Sequence, residues 1–256
     1  MNKFLIIDGM NLVRRIHAAQ PNESDVSGLK ERVNGACRKL LKFHQPTHVA
    51  IVWDGDAISW RKALYEDYKK GRKPMPEALA NTLADLKAYL AEQQVNSIEA
   101  ESEADDVIAT LATKLASNNG EAIIVSTDKG FCQLFHPAIK QWDHFNQSYL
   151  TIEDMEQKLH IERSQLIDYL ALAGDSGNKI PGVPGIGPKS AVELLKIFRS
   201  LANIYNSIDK VGSKQANKLE AGKQMARLSY KLVQLQVDIP LNVNLKQFRV
   251  ETPKPT

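Results

Sequence analysis

The stretch Phe4-Leu-Ile-Ile-Asp8 is a short apolar run that ends in a carboxylate, and this pattern occurs three times along the chain. The second run, Val49–Trp53, is followed by Asp54, and the third, Ala122–Val125, is followed by Ser126-Thr-Asp128. Apolar runs of this length are typical of buried parallel strands. Because sites in parallel sheets form beyond the carboxyl ends of the strands, the three aspartates are expected to converge at one edge.

Segments with helical spacing separate and follow these runs, at Leu29–Phe43, Pro76–Gln93 and Ala104–Ser117. Strands that alternate with helices predict an α/β fold with a parallel sheet. From about Thr151 onward helical patterns dominate, with one Gly/Pro-dense stretch at Gly174–Pro188, and this change predicts a second, helical lobe. A single aspartate after a strand is commonly a helix cap, so that interpretation stays open for each aspartate taken alone.

The charged residues are unevenly distributed, although the net charge of the 256-residue chain is only +3. Bases are concentrated in residues 61–73 and 208–231, whereas residues 99–106 contain five acids. This distribution suggests a polyanion held beside a cation site, although each basic stretch could also be a solvated helix face. Cys37 and Cys132 cannot make a disulfide framework. No signal-peptide or membrane-spanning pattern is recognisable, so we expect a cytoplasmic protein.

The acidic cluster centres on Glu103-Ala-Asp105-Asp106, directly before the helical run Val107–Leu115. Carboxylates at a helix start cap free N–H groups, and this alternative explains one or two of them. Together with the strand-end aspartates, however, they would repel one another unless a cation neutralised them. Oxygen ligands without a nearby His or Cys favour Mg²⁺, for which Mn²⁺ could substitute, with some carboxylates acting through water.

The Gly/Pro-dense stretch contains Gly182, Gly185 and Gly187 and leads through Lys189 into the apolar helix Ala191–Phe198. These glycines allow a tight hairpin whose backbone N–H groups can bind a phosphate, and a lysine at the helix start adds a positive charge. A plain helix–turn–helix connector is the alternative interpretation. The spacing matches neither a P-loop nor a dinucleotide-binding fingerprint.

Several motifs, and their order along the chain, resemble those of the 5′-nuclease/flap endonuclease family. As a free-standing chain of this length, the protein is similar to the exonuclease IX branch of that family. The motifs are Asp8-Gly-Met-Asn-Leu, Asp54 with Trp60-Arg61 and Tyr68–Arg72, Glu103–Asp106, Ser126–Lys129, and Gly174-Asp175 with Ile180–Gly187. The resemblance implies an α/β, parallel-sheet 5′-nuclease (PIN-like) core in residues 1–150, with a helical arch at about 66–96. It also implies a helical DNA-binding lobe in residues 151–250, with a helix–three-turn–helix motif at 174–198.

The resemblance further implies an activity, its ions and its site residues. The activity is Mg²⁺-dependent cutting of DNA that carries a 5′ flap or a 5′ single-stranded overhang, with 5′–3′ exonuclease activity as a further expectation. The expected catalytic residues are Asp8, Asp54, Lys69, Arg72, Glu103, Asp105, Asp106 and Asp128, and the expected Mg²⁺ site comprises Asp8, Glu103, Asp105, Asp106, Asp128 and Asp175. Backbone carbonyls of Leu172, Ala173, Pro181, Val183 and Ile186 are expected to hold K⁺. The expected DNA contacts are Arg61, Gly185, Ile186, Gly187, Pro188, Lys189 and Ser190.

The chain departs from the family pattern at two positions. Where the family has Asp-Lys-Asp and Asp-x-x-Asp, this chain has Asp128-Lys129-Gly130 and Asp175-Ser-Gly-Asn178. Two-metal catalysis needs carboxylates for both ions. The loss of two therefore predicts one well-held Mg²⁺, with Asp105 or Asp106 as its direct ligand, and slow catalysis.

Three alternative functions stay open. A largely inactive protein that binds branched DNA is the main alternative, because Gly130 and Asn178 lack the family's carboxylates. An RNA-directed nuclease is disfavoured because its small versions lack the glycine-rich hairpin. A phosphatase with an aspartyl nucleophile is disfavoured because Asp8 has no second Asp two residues further on. We expect a monomer without membrane contact.

Overall fold

A computed structural model describes residues 2–22 and 24–251. The strands in these residues are β1 (Lys3–Asp8), β2 (His48–Trp53), β3 (Asn96–Glu99), β4 (Glu121–Val125), β5 (Ile139–Asp143) and β6 (Ser148–Leu150). They form a sheet with the order β3-β2-β1-β4-β5-β6. All neighbouring strands are parallel except β5 and β6, which are antiparallel.

The helices alternate with the first strands and then follow one another in the second half of the chain. They are α1 (Gly9–Ala18), α2 (Leu29–His44), α3 (Trp60–Leu64), α4 (Glu77–Glu92), α5 (Ala104–Ser117), α6 (Ile152–Leu159), α7 (Leu166–Ala173), α8 (Pro188–Phe198), α9 (Leu201–Asn206), α10 (Ser213–Ala221) and α11 (Lys223–Val233). In the described part of the chain, none of them combines the length and the apolar character that crossing a bilayer requires.

The three predicted strands and the predicted α/β class are confirmed. Residues Phe4–Ile7 of β1 are completely buried, because α1, α2 and α4 contribute to the core on one face of the sheet while α5 packs on the other. Helices on both faces explain why these strands are apolar throughout and do not alternate with polar residues. The sequence did not predict β3, β5 and β6, which are short strands with several polar residues.

Internal contacts divide the chain into two compact units. The sheet unit comprises the described residues of 1–57, 73–150 and 236–256, and the helical unit those of 58–72 and 151–235. This division differs from the predicted domains 1–150 and 151–250, because residues 58–72 group with the helices and the chain from 236 groups with the sheet. The helical arch predicted at 66–96 is thereby divided between the units and stays a prediction.

Hydrogen bonds give the physical reason for both differences. In the helical unit, the guanidinium of Arg61 donates to the carbonyls of Leu232 and Gln234 at the end of α11. In the sheet unit, the carboxylate of Asp106 on α5 accepts from the Gln236 N–H at 2.9 Å. Neither contact could be inferred from the sequence, because the partners are 130 or more residues apart.

His44 at the end of α2 lies in an aromatic cluster beside β5 and β6, at one edge of the sheet. Its ring contacts Trp142 edge to face at a centroid distance of 4.9 Å, and its Nδ1 is 3.2 Å from the Tyr149 hydroxyl. Burial lowers the pKa of His44 to about 4, and the nearby charge of Lys3 acts in the same direction. The native state therefore favours the neutral imidazole.

This depressed pKa predicts a defined window of acid sensitivity. Native stability from neutral His44 is complete above the unfolded pKa of 6.5 and is lost as the pH falls toward about 4, where the folded state also protonates. We expect the Tm of His44→Phe to fall less than that of the wild type as the pH is lowered through this window. The comparison variant is His160→Asn, at an exposed left-handed position that Asn tolerates. A pH profile of Tm for His44→Phe that parallels the wild type would contradict the assignment.

Candidate active site

Asp8 is the buried centre of the acidic edge of the sheet unit. It ends β1 and caps α1, and its carboxylate accepts from the Asn11 N–H at 3.0 Å and from the Ser126 hydroxyl at 2.8 Å. Burial raises the pKa of Asp8 to about 6, against the lowering effect of these two hydrogen bonds. The charges of Asp54 and Asp128 raise it further. The three strand-end aspartates therefore converge as expected, closely enough to repel one another.

Asp54 connects the end of β2 to the start of α5. Its carboxylate accepts from the Ala104 N–H at 2.8 Å, and the next N–H along the chain, that of Gly55, donates to the Ser102 carbonyl. Glu103 at the cap position of α5 and Asp106 in its first turn are buried, whereas Asp105 is half-buried. The acids at the start of α5 therefore lie next to Asp54, which follows β2 and caps an N–H group of α5.

Asp128 follows β4 and caps the short 3₁₀ helix Lys129–Leu134. Its carboxylate accepts from the Gly130 N–H at 2.7 Å. A Cβ added at Gly130 would lie 3.1 Å from the same Asp128 oxygen, so an acid at this position would require Asp128 to shift. Gln141 donates to the carbonyls of Ser126 and Asp128 and fixes the loop.

The donor set of this edge fits a hard divalent cation. Within residues 2–22 and 24–251, no three His, Cys, Asp or Glu side chains form a group that could hold a metal ion by themselves. Mg²⁺, however, usually binds one or two carboxylates and keeps several waters. Buried and mutually repelling carboxylates such as Asp8 are the groups that a cation would stabilise in their charged form.

A second polar network lies within the helical unit and centres on Asn178. Its side-chain N–H donates to Asp175 at 2.6 Å, and its side-chain oxygen accepts from the guanidinium of Arg72. The Lys69 N–H donates to the Asn178 carbonyl at 2.8 Å. Asp175 also accepts from the Gly177 N–H. Lys69 and Arg72, two basic residues expected in the catalytic site, thus contact the loop that carries Asp175.

Arg61 has a different position from the one expected for a DNA contact. It is only 2% exposed, and its guanidinium donates to the two carbonyls at the end of α11 and lies 4.4 Å from the ring centre of Trp60. A buried guanidinium with these partners holds the helical unit together. We therefore leave Arg61 out of the proposed DNA contacts.

The glycine-rich hairpin precedes α8, as the spacing predicted. Gly182 and Gly185 have φ values of +65° and +79°, which favour glycine, whereas Gly187 is extended at −90°. The Gly182 N–H donates to the Ser229 hydroxyl of α11, and the ammonium of Lys218 donates to the Gly185 carbonyl at 2.9 Å. Gly187, Pro188 and Lys189 are exposed, and Ser190 is half-buried.

The carbonyls expected to hold K⁺ surround this hairpin. A Cβ at Gly182 would lie 2.7 Å from the Leu172 oxygen and from the Ala173 carbonyl carbon, and one at Gly174 would lie 3.0 Å from the Pro181 oxygen. The Leu172 carbonyl accepts from the Val183 N–H, and the Val183 carbonyl accepts from the Ile186 N–H. These two contacts close the turn, and the K⁺ site stays a prediction.

Sequence reasoning assigned no role to several residues that the structure places in these networks. The Thr127 hydroxyl accepts from the Asn11 amide at 3.0 Å and from the Arg15 guanidinium at 2.9 Å, and Arg15 lies 4.5 Å from the ring centre of Phe145. Asn11 was visible as part of its motif. Lys218 had no sequence signal, because its partner Gly185 is 33 residues away.

A parallel sheet with converging aspartates, followed by a helical lobe with a glycine-rich hairpin, is typical of α/β nucleases. The comparison with family models agrees. Residues 3–161 match the N-terminal resolvase-like domain of 5′-3′ exonucleases, and residues 161–256 match their C-terminal SAM fold. The chain belongs to the 5′-3′ exonuclease family, which confirms the resemblance seen in the motifs.

Curated relatives and solved structures are consistent with this membership. The flap endonuclease Xni of Shewanella halifaxensis is 88% identical over 251 residues, which cover 98% of this chain and 100% of that protein. The one of Shewanella oneidensis is 68% identical over 253 residues, which cover 99% and 97%. The T5 5′-exonuclease with bound divalent metal ions (zinc) has a TM-score of 0.79 at 21% identity, with 92% and 90% coverage. A bacteriophage T5 flap endonuclease with DNA and metal ions has a TM-score of 0.75 at 22% identity, with the same coverage.

The Asn178 network predicts that Asn178→Asp increases the stabilisation of the protein by Mg²⁺. Asp175 would then face a second carboxylate and lose its amide donor, and a bound cation would relieve the repulsion. We expect the rise in Tm on adding Mg²⁺ to be larger for Asn178→Asp than for the wild type. The control is the exchange Asp175→Asn/Asn178→Asp, which retains one carboxylate and should behave like the wild type. Equal Mg²⁺ responses in all three proteins would contradict the prediction.

Proposed function

We propose that this chain is a structure-specific 5′ nuclease that cuts flap DNA by Mg²⁺-dependent phosphodiester hydrolysis. The observation that carries the proposal is the buried carboxylate of Asp8 at the carboxyl edge of the sheet, which the charges of Asp54 and Asp128 repel. Relatives that are 68–88% identical are named flap endonucleases, and a T5 flap endonuclease of the same fold has been solved with DNA and metal ions. These findings support the same substrate class for this chain, a 5′ flap or a 5′ single-stranded overhang.

The acids of the sheet unit would hold the cation directly or through water. They are Asp8, Asp54, Glu103, Asp105, Asp106 and Asp128, and Asp175 of the helical unit is a further proposed ligand. A divalent cation, when bound, supplies Lewis-acid polarisation of the phosphoryl group and makes a nearby water more acidic. The contribution of the protein is orientation, because the Asn11 N–H and the Ser126 hydroxyl hold the Asp8 carboxylate in place.

The helical unit would hold the DNA. We propose that Lys69 and Arg72 contact phosphates next to the scissile bond, since the half-buried Lys69 and the exposed Arg72 lie on the turn that contacts the Asp175 loop. Residues Gly185–Ser190, most of which are exposed, would bind the duplex backbone through N–H groups and the charge of Lys189. Ile186 is buried, so its contribution would come from its backbone, as would that of the K⁺-binding carbonyls.

A second candidate function is that of a branched-DNA-binding protein with little catalysis. The specific observation in its favour is that Asn178 gives Asp175 a hydrogen-bond donor in a position where the family has another carboxylate. Asp175 therefore needs no cation to be satisfied. Tight binding of flap DNA without cutting would support this candidate.

The first test is cleavage of a labelled 5′-flap duplex with Mg²⁺ or EDTA, by the wild type and by Asp8→Asn. We expect the wild type to cut near the junction only with Mg²⁺. Asp8→Asn should cut at a rate lower by on the order of 100-fold, since loss of a group that holds or orients a metal costs at least that order. In EDTA the same variant should have a higher Tm, because a buried charge that repels Asp54 and Asp128 has been removed.

Asp143→Asn is the matched control for this test. Asp143 also ends a parallel strand, but its carboxylate is satisfied by the N–H groups of Phe145 and Asn146 and by the Asn146 amide. We expect Asp143→Asn to lower the Tm and to leave cleavage close to the wild-type rate. Cleavage by Asp8→Asn at the wild-type rate would overturn the proposed active site.

Gly187→Val tests the hairpin separately. No atom lies within 4 Å of a Cβ added at Gly187, and its backbone is extended, so the variant should fold with an unchanged Tm. The added side chain would stand where a phosphate approaches the N–H groups, and we expect duplex affinity to fall by about tenfold. Gly212→Val is the control, because Gly212 is equally open and also precedes a helix. Equal losses of affinity in both variants would remove the hairpin from the binding surface.

A further inference from the structure

A cleft of about 850 Å³ lies within the helical unit and is separate from the glycine-rich hairpin. Residues of α7, α9 and α11 form its walls, together with Leu64 at the end of α3. Its volume is within the range of sites that bind small molecules or single residues of a polymer. The residues assigned above to catalysis, cations or the hairpin do not line it.

One wall of the cleft is a basic face of α11. Lys223, Arg227 and Lys231 are exposed, line the cleft and follow one another at intervals of four residues, so they project from the same side of the helix. In the described part of the chain, none of the three is paired with a carboxylate. The buried side of α11 consists of other residues, which include Ala226 and Leu232. Packing of the helix therefore does not require the three charges.

Two tyrosines also line the cleft, Tyr205 on α9 and Tyr230 on α11. Tyr205 and Tyr230 are both half-buried, and the Tyr205 hydroxyl donates to the Leu219 carbonyl at 3.0 Å, which fixes its ring. The ammonium of Lys223 lies 5.5 Å from the centre of the Tyr205 ring. Burial raises the pKa of both tyrosines, so their hydroxyl groups stay neutral. Rigid aromatic rings next to exposed cations are the arrangement that binds bases and phosphates together.

The remaining charged group in the cleft is Asp168 on α7. Burial raises the pKa of its half-buried carboxyl, and the Leu201 N–H partly opposes this shift. The charge of Asp168 adds to the burial that raises the pKa of Tyr230. A carboxylate here is a hydrogen-bond acceptor in a cleft that is otherwise positive. The ligand should therefore combine anionic groups with N–H donors.

We propose that this cleft binds nucleotides of single-stranded DNA, with phosphates on Lys223, Arg227 and Lys231 and a base against Tyr205 or Tyr230. Successive cations are about 6 Å apart along the helix axis, a spacing that neighbouring phosphates of an extended strand can follow. The amino or imino groups of a base supply donors for Asp168. A glutamate-rich peptide fits less well, because its carboxylates would meet Asp168 and leave the tyrosine rings unused. Only the choice of DNA as the ligand depends on the proposed function.

The test uses the full-length protein in EDTA and a short single-stranded oligodeoxynucleotide that carries 5-iododeoxyuridine. Irradiation should cross-link the base to Tyr205 or Tyr230, and mass spectrometry of the digested protein identifies the position. Arg227→Gln/Lys231→Gln should reduce affinity by on the order of tenfold and reduce the slope of log K against log salt by about 1.4, as expected for two lost phosphate contacts to a single strand.

Lys158→Gln/Lys246→Gln is the matched control, because it removes two exposed charges from elsewhere on the chain. This control should keep the wild-type cross-link and salt slope. The proposal is overturned if cross-links form only at other residues, or if both double variants have the same affinity. It is also overturned if a glutamate-rich peptide prevents the tyrosine cross-link at lower concentrations than an unlabelled oligonucleotide. Failure of the proposed function would instead appear as absent Mg²⁺-dependent flap cleavage.

Discussion

Repulsion of the buried Asp8, at the end of β1, by Asp54 and Asp128, which follow β2 and β4, is the constraint on which the acidic edge of the sheet unit depends. The strands are parallel, so their carboxyl ends meet at one edge, and the burial of Asp8 removes the water that would screen its charge. Each of these carboxylates accepts a backbone N–H at a helix start, from Asn11, Ala104 or Gly130. Helix capping and cation binding are therefore not competing explanations. A capping hydrogen bond orients the carboxylate, and its charge remains to be neutralised.

In the helical unit, the carboxylate of Asp175 is stabilised by neutral hydrogen-bond donors. Asp175 accepts from the Gly177 N–H and from the Asn178 amide, while the oxygen of that amide accepts from Arg72. Hydrogen bonds to a charged group contribute about 1.5–3 kcal/mol each, so neutral donors can replace a cation here. The proposed cation requirement therefore falls mainly on the acids of the sheet unit. The loss of two family carboxylates is thus compatible with a stable fold and with a cation requirement centred on Asp8.

The sequence predicted those parts of the structure that depend on local patterns. The strands with uniformly apolar residues, the helices between them and the convergence of Asp8, Asp54 and Asp128 all follow from periodicity and from the geometry of parallel sheets. The edge strand β3, with the sequence Asn-Ser-Ile-Glu, has no such pattern. The family resemblance implied that Arg61 contacts DNA, and only the tertiary fold brings it to the end of α11. Pairings such as Lys218 with Gly185 were invisible for the same reason.

Helix α11 joins both DNA-binding features proposed for the helical unit, and its charge pattern has a physical cost. Ser229 on its buried face accepts from the Gly182 N–H and so fixes the hairpin. On its exposed face, Lys223, Arg227 and Lys231 form two like-charge pairs four residues apart, each of which destabilises a helix by about 0.2–0.5 kcal/mol. Lys223 also lies at the helix start, where a positive charge opposes the dipole. A bound polyanion would attract all three charges and so offset these unfavourable interactions, and the residues that weaken the isolated helix would stabilise the helix on DNA.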